Sequence, residues 1–313
     1  MSDLRQLPLF AKQPTTDADL NVHTRLIDAL PLFQTYLRMQ GKTAHTIAAF
    51  TSDLALLTEY HGDAMTLGAY TTPRLNEFLS WMENRRGVSC SRKTYARRVT
   101  TLKVCFKWLK EIGAIGHDPA NAILQRSGPA PLADILTPSQ VESVLQVARQ
   151  MRRADKPDAR PEMLFRLILS SGMKKSEAIA LAPADIEYAA ADTLQVFMRH
   201  EGAKDRYRER VVPLDPAIAP ALDAYLAQYR PQTTLFTCTA RNLEYILEAI
   251  GSAAGVPHKI SFEMLRWMFA VRAYDAGHDP QTIREWLGLS EISWAETFGK
   301  VKLLSARMRP ALV

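Results

Sequence analysis

Apolar residues recur at helical spacing over most of this chain. Leu26, Leu30, Phe33 and Leu37 form one series, and Ile47, Phe50, Leu54 and Leu57 a second. Gly41, Lys42 and Thr43 interrupt them, which predicts two helices joined by a turn between Arg25 and about Tyr60. Leu75, Phe78, Leu79 and Met82 predict a third helix. The clearest helix covers 91–111, where Tyr95, Val99, Leu102, Phe106 and Leu109 are spaced 4, 3, 4 and 3 and make one continuous apolar stripe. Ser127, Gly128, Pro129, Ala130 and Pro131 cannot continue a helix, so 123–135 reads as a linker. Beyond it, Thr137 suits an N-cap, Pro138 the first helical position, and Val141, Val144 and Leu145 the buried face. Residues 162–182 read as a strongly apolar helix. Strand formers follow at 193–198 (TLQVFM), answered by 210–214 (RVVPL) across a charged turn. Residues 216–313 read as mostly helical, and no repeat of solenoid period is present. The expected fold class is mainly α in two domains. An arm (1–24) leads to an all-helical domain (25–122), then the linker and a mainly helical domain with a small antiparallel sheet (136–313).

Composition narrows the function classes. At 313 residues and 47% hydrophobic content, the chain can bury two ordinary cores. No apolar run approaches the roughly 18 residues of a membrane span. The first twenty residues carry acids and prolines where a secretion signal needs a cationic start and an apolar stretch, so a cytoplasmic location is expected. Cys90, Cys105 and Cys238 show no paired spacing, and the seven histidines are scattered, so neither disulfides nor a metal site is expected. Lys and Arg number 39 against 33 acids, an excess that permits a polyanionic partner without requiring one.

The placement of charge is more informative. Between Glu83 and Glu111 stand nine basic residues and no acid: Arg85, Arg86, Arg92, Lys93, Arg97, Arg98, Lys103, Lys107 and Lys110. A helix apolar on one side and cationic on the other can lie along a phosphate backbone. A solubilising face usually mixes signs, and an anionic membrane surface is the competing ligand. A second cluster, Lys204, Arg206, Arg208 and Arg210, is diluted by Asp205 and Glu209 and reads equally as a solvated hairpin tip.

These residues resemble the tyrosine recombinases, or phage integrases, including the Xer type. Residues 33–60 and 91–123 are similar to the helical, SAM-like core-binding domain of that family. Residues 136–149, 165–186, 201–214 and 261–299 are similar to the successive boxes of its catalytic domain. The resemblance spans about 25–305 and implies a C-shaped clamp around duplex DNA. It also implies a chemistry in which a tyrosine hydroxyl attacks a phosphodiester without metal or nucleotide cofactor. Two arginines grip the non-bridging oxygens, imidazole or indole donors assist, and a hairpin lysine protonates the leaving oxygen.

Carried over residue by residue, most of that machinery is altered. The box G-L-R-x-S-E stands here as Gly172, Met173, Lys174, Lys175, Ser176 and Glu177. Lys174 is therefore a point charge where a forked arginine belongs. The hairpin lysine best matches Lys204. H-x-L-R-H stands as Glu263, Met264, Leu265, Arg266 and Trp267, so the second arginine is kept while a carboxylate replaces its histidine partner. Arg266 and Glu263 could then form a structural ion pair. L-G-H stands as Leu287, Gly288 and Leu289. Ten residues beyond Gly288, at the nucleophile position, lies Phe298, and Tyr274 is the last tyrosine. Phe298, Leu289, Trp267 and Trp294 are expected to fill core, and His258 and His278 to be packed or surface histidines.

The expected function is sequence-specific binding of double-stranded DNA without strand cleavage, as a regulator or an accessory factor of a mobile element. Lys42, Thr43, Arg92, Lys93, Arg97, Arg98, Lys103, Lys174, Lys175, Lys204, Arg206, Arg208 and Arg266 are the expected DNA contacts. Partners would be duplex DNA and either itself or an active recombinase, with no membrane and no small-molecule substrate. Two rivals stay open. One is a divergent recombinase that cuts DNA with another hydroxyl, Thr297 or Ser293 being nearest. The other is a protein-interaction scaffold.

Overall fold

The computed structural model describes residues 14–88, 90–124, 131–189, 193–200 and 208–308. The chain divides into two compact units, Met1–Ala130 and Pro131–Val313. Each holds its own apolar core.

The first unit is helical: α1 (Leu26–Met39), α2 (Ala44–His61), α3 (Thr72–Asn84) and α4 (Arg92–Glu111). The predicted turn between α1 and α2 is present, with Thr43 capping α2 by accepting from the Thr46 amide. Ser91 caps α4 in the same way through Thr94. Tyr95, Val99, Leu102, Phe106 and Leu109 are all buried, so the stripe read from their spacing is the face α4 turns to the core. Helix α4 packs on α2 within one core that includes Leu54 and Leu57, and its Trp108 ring lies 5.4 Å from that of Phe33 on α1.

The second unit begins with α5 (Pro138–Arg153), whose Thr137 and Gln140 cap each other reciprocally. The apolar stretch 162–182, read as one helix, is instead two: α6 (Arg160–Ser171) and α7 (Lys175–Ala180). Gly172 breaks it. Its φ is +59°, and a Cβ there would run into the ring of Phe269. Glycine thus lets α6 end against a buried aromatic and re-aims the chain so that Lys174 and Glu177 open a new helix.

The sheet has three strands where two were expected. β1 (Ile186–Tyr188), β2 (Leu194–Met198) and β3 (Arg210–Pro213) pair antiparallel in that order. The register sets Ile186 and Val212 on either side of Val196, and Met198 opposite Arg210. Five helices follow: α8 (Ala219–Tyr229), α9 (Ala240–Ala253), α10 (Phe262–Asp275), α11 (Pro280–Trp286) and α12 (Glu291–Met308). Helix α6 lies at the centre against α5, α8, α9 and α10, with Met163, Leu164, Phe165, Leu167 and Ile168 fully enclosed. No helix among the described residues is long and apolar enough to cross a membrane.

Candidate functional site

In the first unit the basic residues of α4 divide by the turn of the helix. Arg92 and Lys93 are exposed in its first turn and Lys103 is half-buried. Lys42 and Thr43 are exposed at the head of α2. Arg97 and Arg98 converge on Asp53 of α2. Arg97 Nη2 donates to Asp53 Oδ1 at 2.8 Å, Arg98 Nε to the same oxygen at 3.3 Å, and Thr101 Oγ1 to Oδ2 at 3.0 Å. Burial pushes the Asp53 carboxyl above its ordinary value, against the pull of Arg97, Thr101 and Arg98. The Arg97 side chain keeps 41% of its surface exposed. The Arg98 side chain keeps 11%, and its Nη1 points at Cys90 Sγ, 3.4 Å away. Arg98 therefore corrects the sequence reading. A guanidinium spent on a buried carboxylate and a thiol is not offered to a phosphate; it braces α4 against α2.

In the second unit a charged centre forms where α7, the β2–β3 strands, α10 and the turn after α11 meet. Glu177 is its hub and is buried. Its two carboxylate oxygens accept from Arg210 Nη1 and Nη2 at 2.9 and 2.8 Å, a bidentate pair. It also accepts from the Lys174 amide at 2.7 Å, while Lys174 Nζ stands 4.0 Å off. Burial alone would raise the Glu177 carboxyl; the Arg210 bonds and charge, with the Lys174 contacts, carry it below its ordinary value. Arg210 Nε goes on to the Trp286 carbonyl at 2.6 Å. Gly288 makes room for it: at φ +56°, a Cβ there would lie 2.8 Å from Arg210 Nη1.

Arg266 reaches the same centre from α10. Its guanidinium donates to the Gly172 and Leu287 carbonyls. The anticipated ion pair with Glu263 is not formed. Glu263 is exposed and acts on Arg266 only through its charge. Burial brings the Arg266 guanidinium down to about 10, so it stays cationic at neutral pH. Burial also lowers the Lys174 ammonium; Glu177 opposes that, and the charges of Arg266, Arg210 and Arg208 add to it. Lys175 leans away, its Nζ 2.7 Å from Glu244 on α9. Lys204 and Arg206 lie outside the described residues; Arg208 precedes β3 and its carbonyl accepts from Arg210 Nη1 at 3.2 Å.

At position 298 the phenyl ring stacks on Trp294 at 5.2 Å, meets Tyr274 edge-on at 5.7 Å, and lies under Lys302 Nζ at 4.9 Å. Phe298 and Leu289 pack against the core while partly exposed, and Trp294 is buried. Thr297 Oγ1 is bonded to the Ser293 carbonyl at 2.7 Å and Ser293 Oγ to Ser290 Oγ at 3.1 Å. Tyr274 stands eight residues beyond Arg266 on α10, about 12 Å along the axis. Among the described residues, no three His, Cys, Asp or Glu side chains gather as a metal site would need.

Sequence reasoning missed two members of this centre, Arg210 and His200. The signal was strand alternation. Leu194, Val196 and Met198 are the buried positions of β2, and His200 is the next in phase. Arg210 and Val212 are the buried positions of β3. His200 is half-buried, and its Nε2 lies 3.7 Å from Glu177 Oε1.

The comparisons with known proteins agree with this architecture. Residues 30–113 match the model of the phage integrase N-terminal SAM-like domain. The tyrosine recombinase XerC of Roseiflexus sp. (strain RS-1) is 28% identical over 84% of this chain and 85% of its own length. The tyrosine recombinase XerA of Thermococcus kodakarensis is 27% identical over 86% and 89%. In fold, the chain is similar to a lambda integrase dimer bound to a COC' core site, with a TM-score of 0.68 at 16% identity over 90% of this chain and 78% of that one. It is also similar to the XerH recombinase bound to a palindromic difH substrate, at 0.66 and 22% over 83% and 78%. The phage integrase family model itself matches residues 134–301, more than half of the chain, and the protein belongs to that family.

Proposed function

We propose that this protein binds a specific duplex DNA site through both units and does not cut it. It would act as a regulator or as an accessory factor in recombination of a mobile element. Its similarity to XerC and XerA, and to the folds of lambda integrase bound to a core site and XerH bound to its difH substrate, supports DNA as the partner. The lambda integrase neighbour is a dimer on its site, which supports self-association or pairing with an active relative. Lys42, Thr43, Arg92, Lys93, Arg97 and Lys103 serve as contacts in the first unit. Lys174, Lys175, Arg208 and Arg266, with Lys204 and Arg206, serve in the second.

The observation that carries the absence of cleavage is Phe298. A phenyl ring held between Trp294 and Tyr274 has no oxygen to place on phosphorus. Lys174 offers one ammonium where the family reading expects a fork, and Glu263 and Leu289 cannot donate as an imidazole does. The rival, an active recombinase with a displaced hydroxyl, draws on the Lys174, Glu177 and Arg266 cluster, which still converges. A nicked suicide substrate separates them. Duplexes bound from sheared genomic DNA are selected, the best site is rebuilt with a nick on either side of each candidate phosphate, and the mixture is denatured. We expect free protein and intact strands. A protein–DNA adduct that survives denaturation establishes the rival.

A further inference from the structure

We propose that Arg149, Arg152 and Arg166 form a second anion site in the second unit, one that takes a phosphate group; the inference does not depend on the DNA-binding reading above. Arg149 and Arg152 stand one turn apart on α5, and Glu162 and Arg166 one turn apart on α6. Packing of α5 on α6 brings all four together. Glu162 is buried, its side chain only 3% exposed. Its Oε2 accepts from Arg152 Nε at 2.7 Å and its Oε1 from Arg166 Nε at 2.9 Å, while Arg149 Nε stands 4.0 Å from Oε1. One carboxylate has drawn in three guanidinium groups. Arg149 turns its Nη1 to the exposed Glu142, 3.1 Å away. The Nη groups of Arg152 and Arg166 hydrogen-bond to no described residue, and they are not sealed from solvent. Two forks on the same carboxylate therefore keep their outer donors open.

From 161 to 169, α6 is buried at every position except Arg166, so the helix opens to solvent only where that guanidinium leaves it. A buried carboxylate needs one fork, and each further guanidinium beside it meets the repulsion of like charge. Glu162 answers the inner, Nε side of the cluster, and its outer side is left for a second anion. Over 142–166 six Lys and Arg residues stand against four Asp and Glu, an excess of two positive charges. A phosphate suits that excess. Its charge approaches two at neutral pH, and its oxygens can accept from both forks at once, where a lone carboxylate fills one. A free phosphate and, with one charge fewer, a phosphodiester of bound DNA share this chemistry. The cluster is separate from the charged centre around Glu177: Glu162 lies ten residues before Gly172, about 15 Å along the α6 axis.

Calorimetric titration of the full chain with inorganic phosphate, at fixed ionic strength in a chloride background and without DNA, tests the site. We expect binding with a Kd of about 1 mM or tighter, within reach of a five-atom ligand held by charged donors. In about 10 mM phosphate the Tm of the natural protein should rise by about 3–6 °C. Arg152→Gln and Arg166→Gln each leave Glu162 a guanidinium partner, so both should fold, and each should weaken phosphate about tenfold or more. Glu162→Gln removes the competing carboxylate and should tighten phosphate, a gain that a purely structural cluster cannot give. Binding or a Tm rise that is unchanged in the two arginine variants puts the ion elsewhere and overturns the proposal, as does the lack of any saturable binding. A saturating duplex distinguishes the two sources of phosphate. Phosphate that stays bound beside the duplex assigns the site to a free anion. Displacement by the duplex, with a log–log salt slope smaller by about one in Arg152→Gln, assigns it to the DNA backbone. If no duplex binds, the DNA reading fails while the phosphate titration still decides this one.

Discussion

Arg210→Met should destabilise the second unit by about 3–5 kcal/mol, because it strands a buried carboxylate. Glu177 sits inside the protein with its two oxygens on Arg210, and the Arg210 side chain is only 6% exposed. Methionine fills much of the same volume but supplies no donor. For a unit of this size, 1 kcal/mol corresponds to roughly 2–4 °C in Tm, so the calorimetric transition should fall by about 10 °C. The double variant Arg210→Met, Glu177→Leu should recover most of the loss, since removing both charges removes the unpaired one. A single variant within about 2 °C of the natural protein would refute the pairing as a structural hub.

The pH dependence has a definite sign. The folded Glu177 carboxyl titrates below its ordinary 4.5, so its contribution is complete above that value and is lost as pH falls through the lower folded one. In Arg210→Met the burial that Arg210 opposed is left to dominate, and the carboxyl titrates above the unfolded value. The gap in Tm between the two proteins should therefore start to narrow on acidification above 4.5, as the variant's carboxyl takes its proton, and narrow further below it, as the natural protein loses its pair. The pair also fixes functional geometry. Glu177 holds the Lys174 amide, and Arg210 holds the Trp286 carbonyl, so one ion pair ties the start of α7 to the turn from which Leu287 receives Arg266.

What was legible in the sequence were the features fixed by near neighbours. The α4 stripe needed only its own spacing, and the start of α5 needed only Thr137 as cap and Pro138 beside it. The α6–α7 break was hidden because apolar residues run straight through Gly172, while its cause is Phe269, almost a hundred positions later. β1 was missed because three residues, Ile186, Glu187 and Tyr188, are too few to show alternation. Arg97 and Arg98 read alike in a basic run, yet successive helical residues point about 100° apart. Only the fold brings Asp53 within reach and turns Arg98 inward. The hairpin arginines posed the same problem in a strand. Arg210 looked like one more tip residue, but its phase with Val212 sends it into the centre. Charge read as a run overstates the surface, because one buried carboxylate selects the cation that faces it.

That distinction sets the second large expected effect. Replacing Arg92, Lys93 and Lys103 together by glutamine should weaken DNA binding uniformly across sequences and reduce the magnitude of the log–log salt slope by about 3, one unit per lost phosphate contact. A protein making 6–10 such contacts loses about 10³–10⁵ in affinity between 50 and 200 mM salt, so each contact removed carries roughly half a decade over that range. The three side chains pair with no carboxylate among the described residues, and two of them are exposed, so the fold should tolerate the change with a Tm near that of the natural protein. Arg98→Gln makes the contrast. Its partner is the Asp53 carboxylate, which burial already pushes up, so the loss should appear as a lower Tm of the first unit with the salt slope unchanged. Salt titrations and melting curves on the two variants read these effects separately. If Arg98→Gln flattens the salt slope as the triple variant does, the inward assignment of Arg98 is wrong. If the triple variant leaves the slope where it was, the face of α4 is not where the duplex lies.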